Sequence, residues 1–194
     1  MKDIMQVIID KAKENKKTII LSEGWDPRVL EAVDMILKED ICDIKLVGPE
    51  EKIKEGLKKY SYDVEIIDPD TYKDMDKLVK EMVQLRKHKG LTEEKAKELL
   101  KDTQYFACML AHMGKGDGVS GSCICSTAEL MRPALQIIKT KPDTKLVSEV
   151  GIFVDEEEER LYFESDASLN ISPDEEQLAQ IAVNAADCVS ALGF

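Results

Sequence analysis

The sequence predicts an α/β fold built around a mainly parallel sheet, on three observations. Short apolar runs at 18–21, 44–47 and 64–67 alternate with amphipathic helical stretches. The runs are continuous rather than alternating, as in strands covered on both faces. The stretches between them are long enough to return the chain for parallel pairing, which a tight turn cannot do. The expected architecture is three-layered, α/β/α.

Taken in order, Ile4, Ile8 and Ala12 recur on one face of an N-terminal helix that leads into the strand Thr18-Ile19-Ile20-Leu21. Asp26-Pro27 supplies an N-cap and a first-turn proline for the next helix, whose Val29, Leu30, Val33, Ile36 and Leu37 lie at helical spacing. Ile44 to Val47 is the second strand, Glu50 to Lys59 a charged helix, and Val64 to Ile67 the third strand. From 73 to 113 the chain reads as helical: Tyr72 to His88, then a helix capped by Thr92 with Glu93 and Glu94 in its first turn, then Tyr105 to Met113.

Beyond 145 the texture changes. Leu146 to Val154 and Leu161-Tyr162-Phe163 flank the acidic run Asp155 to Glu159, the pattern of an antiparallel hairpin with a solvated tip. Ser172-Pro173-Asp174-Glu175 reads as a capping box with proline at the first helical position. In the closing helix Leu178, Ile181, Ala182, Ala185 and Leu192 form one stripe, which must pack against something. The expected division is a first domain over 1–144 and the start of a second, incomplete one over 145–194.

Composition narrows the function classes. At 43% hydrophobic and 34% charged residues the chain is of ordinary globular make-up, not disordered or fibrous. No apolar run approaches the roughly 20 residues that span a bilayer. The opening MKDIMQVIIDKAKENKK carries acids and no cleavage pattern, so it reads as a helix rather than a signal peptide, and a cytoplasmic location is expected. The net charge of −12 argues against nucleic acid and anionic membrane as partners, because phosphate backbones repel such a surface. Cys42, Cys108, Cys123, Cys125 and Cys188 are odd in number and sit in apolar patterns, so reduced thiols are expected.

Against this acidic background the stretch 114–140, GKGDGVSGSCICSTAELMRPALQIIKT, stands out. Gly114, Gly116, Gly118 and Gly121 permit close approach to the backbone. Ser126-Thr127-Ala128-Glu129 is a capping box, so a helix N-terminus with free amides is expected beside them. Glycines before a helix start favour anions by geometry and dipole together. Ser120, Ser122, Ser126 and Thr127 add hydroxyls, and Arg132 adds a planar fork suited to phosphate. Pro133 removes one helical hydrogen bond and is expected to bend or restart the helix. A plain tight turn with Arg132 on the surface accounts for the same spacing, since no Walker pattern is present.

Arg86-Lys87-His88-Lys89 is the one dense basic cluster, at a helix C-terminus where cations complement the dipole. The same cluster can attract a highly charged anion. Cys108, His112, Cys123 and Cys125 match no common zinc spacing, and no partner orients His88 or His112 for nucleophilic work, so metal and Cys–His chemistry are disfavoured. Trp25 follows Glu23-Gly24 at a strand's carboxyl end, where packing is the simpler account.

The strings LSEGWDPRVLEA (21–32), LRKHKGLT (85–92), GDGVSGSCICSTAELMRPALQIIKT (116–140) and SDASLNISPDEEQLAQIA (165–182) resemble the phosphate acetyl/butyryl transferase family, in order and over essentially the whole chain. The resemblance implies an isocitrate/isopropylmalate dehydrogenase-like fold. It implies acetyl transfer between coenzyme A and inorganic phosphate, giving acetyl phosphate, with no metal or bound cofactor and coenzyme A as a substrate. It implies a homodimer. By the same resemblance Arg132 and Arg86 are substrate-binding arginines, and Ser126 and Thr127 line the acyl-phosphate pocket.

The candidate catalytic residues are thus Arg132 and Ser126; the candidate substrate-binding residues are Arg86, Lys87, Ser120, Gly121, Thr127 and Arg132. Three departures accompany the resemblance, one being an acidic hairpin near 153–166 where members usually carry a longer, less charged connection. Cys-Ile-Cys stands at 123–125 where the family commonly has an Ala-Val-His type of sequence. The family's later segment, with a Ser-Arg pair and the aspartate proposed as base, has no counterpart in these 194 residues. Butyryl transfer, and a non-catalytic module binding coenzyme A or acetyl phosphate, stay open as alternatives.

Overall fold

The computed structural model describes residues 4–60, 62–142, 144–155 and 160–193. Cα packing groups Asn15–Lys139 into one unit, and joins the N-terminal segment up to Glu14 to the segment from Thr140 onward in a second. The chain thus changes unit at 139–140, and helix α1 (Ile4–Glu14) belongs with the later residues instead of the sheet. There Lys11 Nζ donates to the Ala191 carbonyl at 2.6 Å.

In the 15–139 unit, β1 (Thr18–Leu21), β2 (Asp43–Val47), β3 (Glu65–Ile67) and β4 (Gly118–Ser120) form a sheet ordered β3-β2-β1-β4. All three pairings are parallel, with Ile20 opposite Lys45 on one side and Val119 on the other. The three expected strands fall where the apolar runs are. The fourth was hidden, since Gly118-Val119-Ser120 is short, lies at the sheet edge and sits inside a glycine-rich stretch.

Helices cover both faces. On one side α2 (Pro27–Glu39) and α3 (Glu50–Leu57) bury Leu30, Val33 and Ile53 against Ile44, Leu46 and Val64. On the other, α4 (Met75–Leu85), α5 (Glu93–Leu99) and α6 (Thr103–His112) enclose Leu78, Met82, Phe106, Met109 and Leu110 with Ile20, Val47 and Ile67. The result is the expected three layers. Helix α6 is buried from Gln104 to Leu110, as its nearly unbroken apolar sequence requires.

Several boundaries move. The expected helix Tyr72 to His88 is α4 alone, because Arg86 leaves the helical region (φ −112°, ψ 16°) and Lys87–Lys89 form a 3₁₀ turn closed by Gly90 at φ +69°. Helix α6 begins earlier than expected, since Asp102 caps it by accepting from the amides of Gln104 and Tyr105. Trp25 is a packing residue: its ring lies so close over Gly48 that a Cβ there would meet Cε3 at 2.3 Å.

Helix α7 (Thr127–Pro133) passes into a π segment, Ala134–Ile138, and ends at Lys139. Pro133 has no N–H for the carbonyl one turn back, so the helix changes pitch where the sequence places the proline.

In the second unit β5 (Val150–Asp155) and β6 (Arg160–Ser165) pair antiparallel, Ile152 opposite Phe163. Residues 156–159 of the expected acidic tip lie outside the described residues. Helix α8 (Glu175–Leu192) is capped by Asp174 with Gln177, not by Ser172. Pro173 precedes the cap, and the Asp-x-x-Gln spacing satisfies both amides. Its stripe is only partly covered: Ile181 is buried, whereas Leu178 is 55% exposed. Among the described residues no helix is long and apolar enough to cross a membrane.

Candidate active site

The carboxyl ends of β1 and β4 lie side by side, and the chain leaving them is knitted together by one carboxylate. Ser22 donates its amide to the Ser120 carbonyl at 3.1 Å, and its hydroxyl reaches the same oxygen at 3.3 Å. One residue on, Glu23 is only 3% exposed. Its two carboxylate oxygens accept from three successive amides of the β4–α7 loop: Cys123 at 2.5 Å, Ile124 at 3.1 Å and Cys125 at 2.9 Å. Burial pushes the Glu23 carboxyl up, but the amides of Cys125, Cys123 and Ile124 outweigh it and leave the group below the ordinary glutamate range. The Cys125 thiol, half-buried and bonded to the same carboxylate, is pushed up.

Two further features shape this loop. Ser122 takes a left-handed conformation (φ +74°) and donates its hydroxyl to the Cys125 carbonyl at 3.1 Å. Gly121 is wedged between Ser22 and Gln104, so that a Cβ would lie 2.3 Å from Ser22 Oγ and 2.8 Å from Gln104 Oε1. That Oε1 is buried and has no hydrogen-bond partner among the described residues. A cavity of about 230 Å³ opens beside the loop, with Leu21, Val29 and Ile36 as apolar wall and Glu23, Arg28 and Cys123 at its polar side.

The expectation of free amides before α7 is therefore corrected. Three loop amides are filled by Glu23. At the helix start, Ser126 donates its amide and its hydroxyl to Glu129 Oε2, both at 2.7 Å, and accepts the Glu129 amide at 3.3 Å. Thr127 is the exposed first residue of α7, and Ser120 is exposed at the end of β4.

The positive charge sits elsewhere in the same unit. Arg132, exposed near the end of α7, acts electrostatically on Glu129 and on the Tyr105 phenol. Arg86, 46 residues earlier (132 − 86), acts on the same phenol. Tyr105 is buried and donates to Gln136 Oε1 at 3.2 Å, a residue of the π segment. Burial pushes its pKa up; Arg132 and then Arg86 pull the other way without reversing the shift.

Among the described residues neither arginine forms an ion pair, whereas Arg28 is bound to Asp26. Two guanidinium groups without an ion pair among the described residues, both within electrostatic reach of one phenol, favour anions locally in a chain of net charge −12. Lys87 is exposed on the adjoining 3₁₀ turn.

The sequence missed Glu23, Tyr105 and Gln136. A glutamate directly after a buried strand was the only signal for Glu23, and nothing marked the other two. The sulfur and histidine candidates do not assemble: Cys108 is buried in the core with its thiol pushed up to about 12, and His112 faces Glu81 Oε1 at 3.1 Å. Among the described residues no group of three or more His, Cys, Asp or Glu is placed to hold a metal ion.

The sequence profile of the family described as phosphate acetyl/butaryl transferase matches residues 3–194. The chain belongs to this family. It is 43% identical to a phosphate acetyltransferase of Thermoanaerobacterium thermosaccharolyticum, the match covering 97% of this chain and 59% of the relative. With a phosphate acetyltransferase of Clostridium acetobutylicum the identity is 40%, over 95% of this chain and 58% of the relative. A phosphotransacetylase structure from Streptococcus pyogenes superposes with a TM-score of 0.91 at 34% identity, covering 98% of this chain and 59% of that one. The chain thus spans less than two thirds of the length of these relatives.

Proposed function

We propose that the chain recognises phosphate and coenzyme A for reversible acetyl transfer, acetyl-CoA + phosphate = acetyl phosphate + CoA. The observation that carries this reading is that Arg86 and Arg132, unpaired among the described residues, both lie within electrostatic reach of the Tyr105 phenol. Every substrate and product of that reaction carries phosphate, so one positive field serves both directions. The names of the relatives support the same choice.

In the forward step an oxygen of hydrogen phosphate bonds to the acetyl carbon and the carbon–sulfur bond breaks. The proton carried by the phosphate ends on the departing sulfur. The role assigned to Arg132 is a bidentate grip on phosphate, and to Arg86, with Lys87 beside it, attraction of the coenzyme's phosphates. Ser120, Gly121 and Thr127 are assigned to the walls of the site, and Ser126 to fixing the start of α7. Holding phosphate in line with a thioester removes the entropy of a two-body encounter, worth up to roughly 7–11 kcal/mol when alignment is good. No bound cofactor is invoked, and a cytoplasmic homodimer completes the reading.

The test is to give the purified chain acetyl-CoA and phosphate and follow thiol release and melting temperature. Turnover lost in Arg132→Ala supports the enzyme. Stabilisation by coenzyme A or acetyl phosphate without turnover points to a binding module. Absence of both effects at millimolar ligand rejects the site.

A further inference from the structure

We propose that Glu23 is the positioning residue of the β4–α7 loop, and that its carboxylate, not a substrate phosphate, is the resident anion of the amide nest at 123–125. The geometry carries this. Three consecutive N–H groups pointing into one concavity form an anion nest, the device by which many loops hold phosphate. Here it is filled from within the chain, by a side chain 100 residues earlier that is 3% exposed. An anion arriving at those amides would have to displace a carboxylate that already satisfies all three. Charge-assisted bonds of this kind are roughly twice as strong as neutral ones, so the resident holds the concavity against a weakly bound competitor.

The consequence is positional. The loop runs from Gly121, pinned by Ser22 and Gln104, to Ser126, the cap of α7. Fixing the three amides between those two points fixes where α7 starts, and with it the helix that carries Arg132. The charged and titratable groups that face Glu23 are Arg28 from α2, with its partner Asp26, and Cys123 and Cys125 from the loop itself; Glu129 of α7 acts on Cys125. Arg28 supports the ionised form of Glu23, and Cys125 donates to it.

The inference needs neither turnover nor ligand binding, so it stands or falls separately from the function proposed above. The measurement is an amide ¹H–¹⁵N spectrum of the full chain between pH 7 and pH 3. The amides of 123, 124 and 125 are expected downfield at neutral pH and to move together, with a midpoint below that of ordinary glutamates. In Glu23→Gln they should sit upfield and no longer follow that titration. In Glu23→Ala their hydrogen exchange should quicken by about tenfold or more, since three charge-assisted bonds are lost together. Added formate should restore them saturably while chloride does not.

Amides that fail to titrate in the native chain, or titrate equally in Glu23→Gln, overturn the proposal. So does inorganic phosphate shifting the three native amides as strongly as formate shifts them in Glu23→Ala, which would make the nest a substrate site. If Glu23→Ala does not fold, the native titration and the isosteric Glu23→Gln still decide.

Discussion

The Arg28 guanidinium grips Asp26 through both carboxylate oxygens, Nε to Oδ1 at 3.0 Å and Nη2 to Oδ2 at 2.9 Å. The same Nη2 donates to the Cys123 carbonyl at 2.9 Å. One side chain thus ties the cap of α2 to the far loop of β4, since Asp26 Oδ1 also accepts the Arg28 amide as N-cap.

This arrangement sets an acid limit on the fold. The Arg28 side chain and then its amide hold the Asp26 carboxyl down, from an ordinary 3.8 to about 2. A carboxyl whose folded pKa is depressed contributes stability that is complete above its unfolded pKa and disappears as pH falls through the folded one. The melting temperature of the native chain should therefore exceed that of Asp26→Asn by a constant margin above about pH 5. The margin should shrink between pH 4 and pH 2. Thermal melts of both chains across that range check it, and a margin that stays flat down to pH 2 excludes Asp26 as the source.

Gly121 offers a steric test. A Cβ there lands 2.3 Å from Ser22 Oγ, and Ser22 is fully buried with its hydroxyl committed to the Ser120 carbonyl. Gly121→Ala should destabilise the chain by about 1–3 kcal/mol, the usual cost of overpacking. Removing the opposing oxygen in Ser22→Ala should relieve part of that cost, giving a coupling of at least about 0.5 kcal/mol between two touching positions. Denaturant midpoints of the two single variants and the double variant close the cycle. Strict additivity would mean that the clash is absorbed elsewhere.

The fold was largely legible because burial on both faces of a sheet leaves a plain mark. Ile19-Ile20-Leu21 and Ile44-Lys45-Leu46-Val47 announce parallel strands without help from context. β4 was not legible: Gly118-Val119-Ser120 is a strand because it lies beside β1, with Asp117 bonded to Thr18 and the Ser120 carbonyl accepting from Ser22 just beyond β1.

The site divides in the same way. The Ser126 cap and the disruption at Pro133 follow from local chemistry, and local sequence displays them. The Glu23 nest, and the electrostatic reach of both Arg86 and Arg132 to Tyr105, depend on residues 100 and 46 positions apart, which no local period encodes. The glycine-rich loop looked like an open cradle because its amides could be counted from sequence and their occupant could not.

Phe106 probes the core beneath the site. It is fully buried in α6, its ring edge-on to Tyr72 at 5.3 Å and 87°. Phe106→Ala should cost about 3–5 kcal/mol through lost transfer and cavity formation. Phe106→Leu, which keeps most of the volume, should cost less. Chemical denaturation separates the two. A loss below about 1 kcal/mol for the alanine variant would show that α6 can collapse into the space.

Arg132 and Arg86 supply the functional counterpart. Both lie within electrostatic reach of Tyr105, and neither is tied to a carboxylate among the described residues. Arg132→Ala should weaken phosphate binding by about 1.5–3 kcal/mol, the scale of a hydrogen bond to a charged group. Arg132→Lys should recover only part of this, because it restores the charge but not the fork. The two arginines act on one region, so Arg86→Ala combined with Arg132→Ala should be non-additive in calorimetric titration with phosphate. Arg132 is exposed, so its loss should change the unfolding free energy by no more than about ±0.5 kcal/mol, the range of ordinary surface changes. Unchanged phosphate affinity in Arg132→Ala would remove the arginine pair from recognition and leave the field around Tyr105 without a ligand to hold.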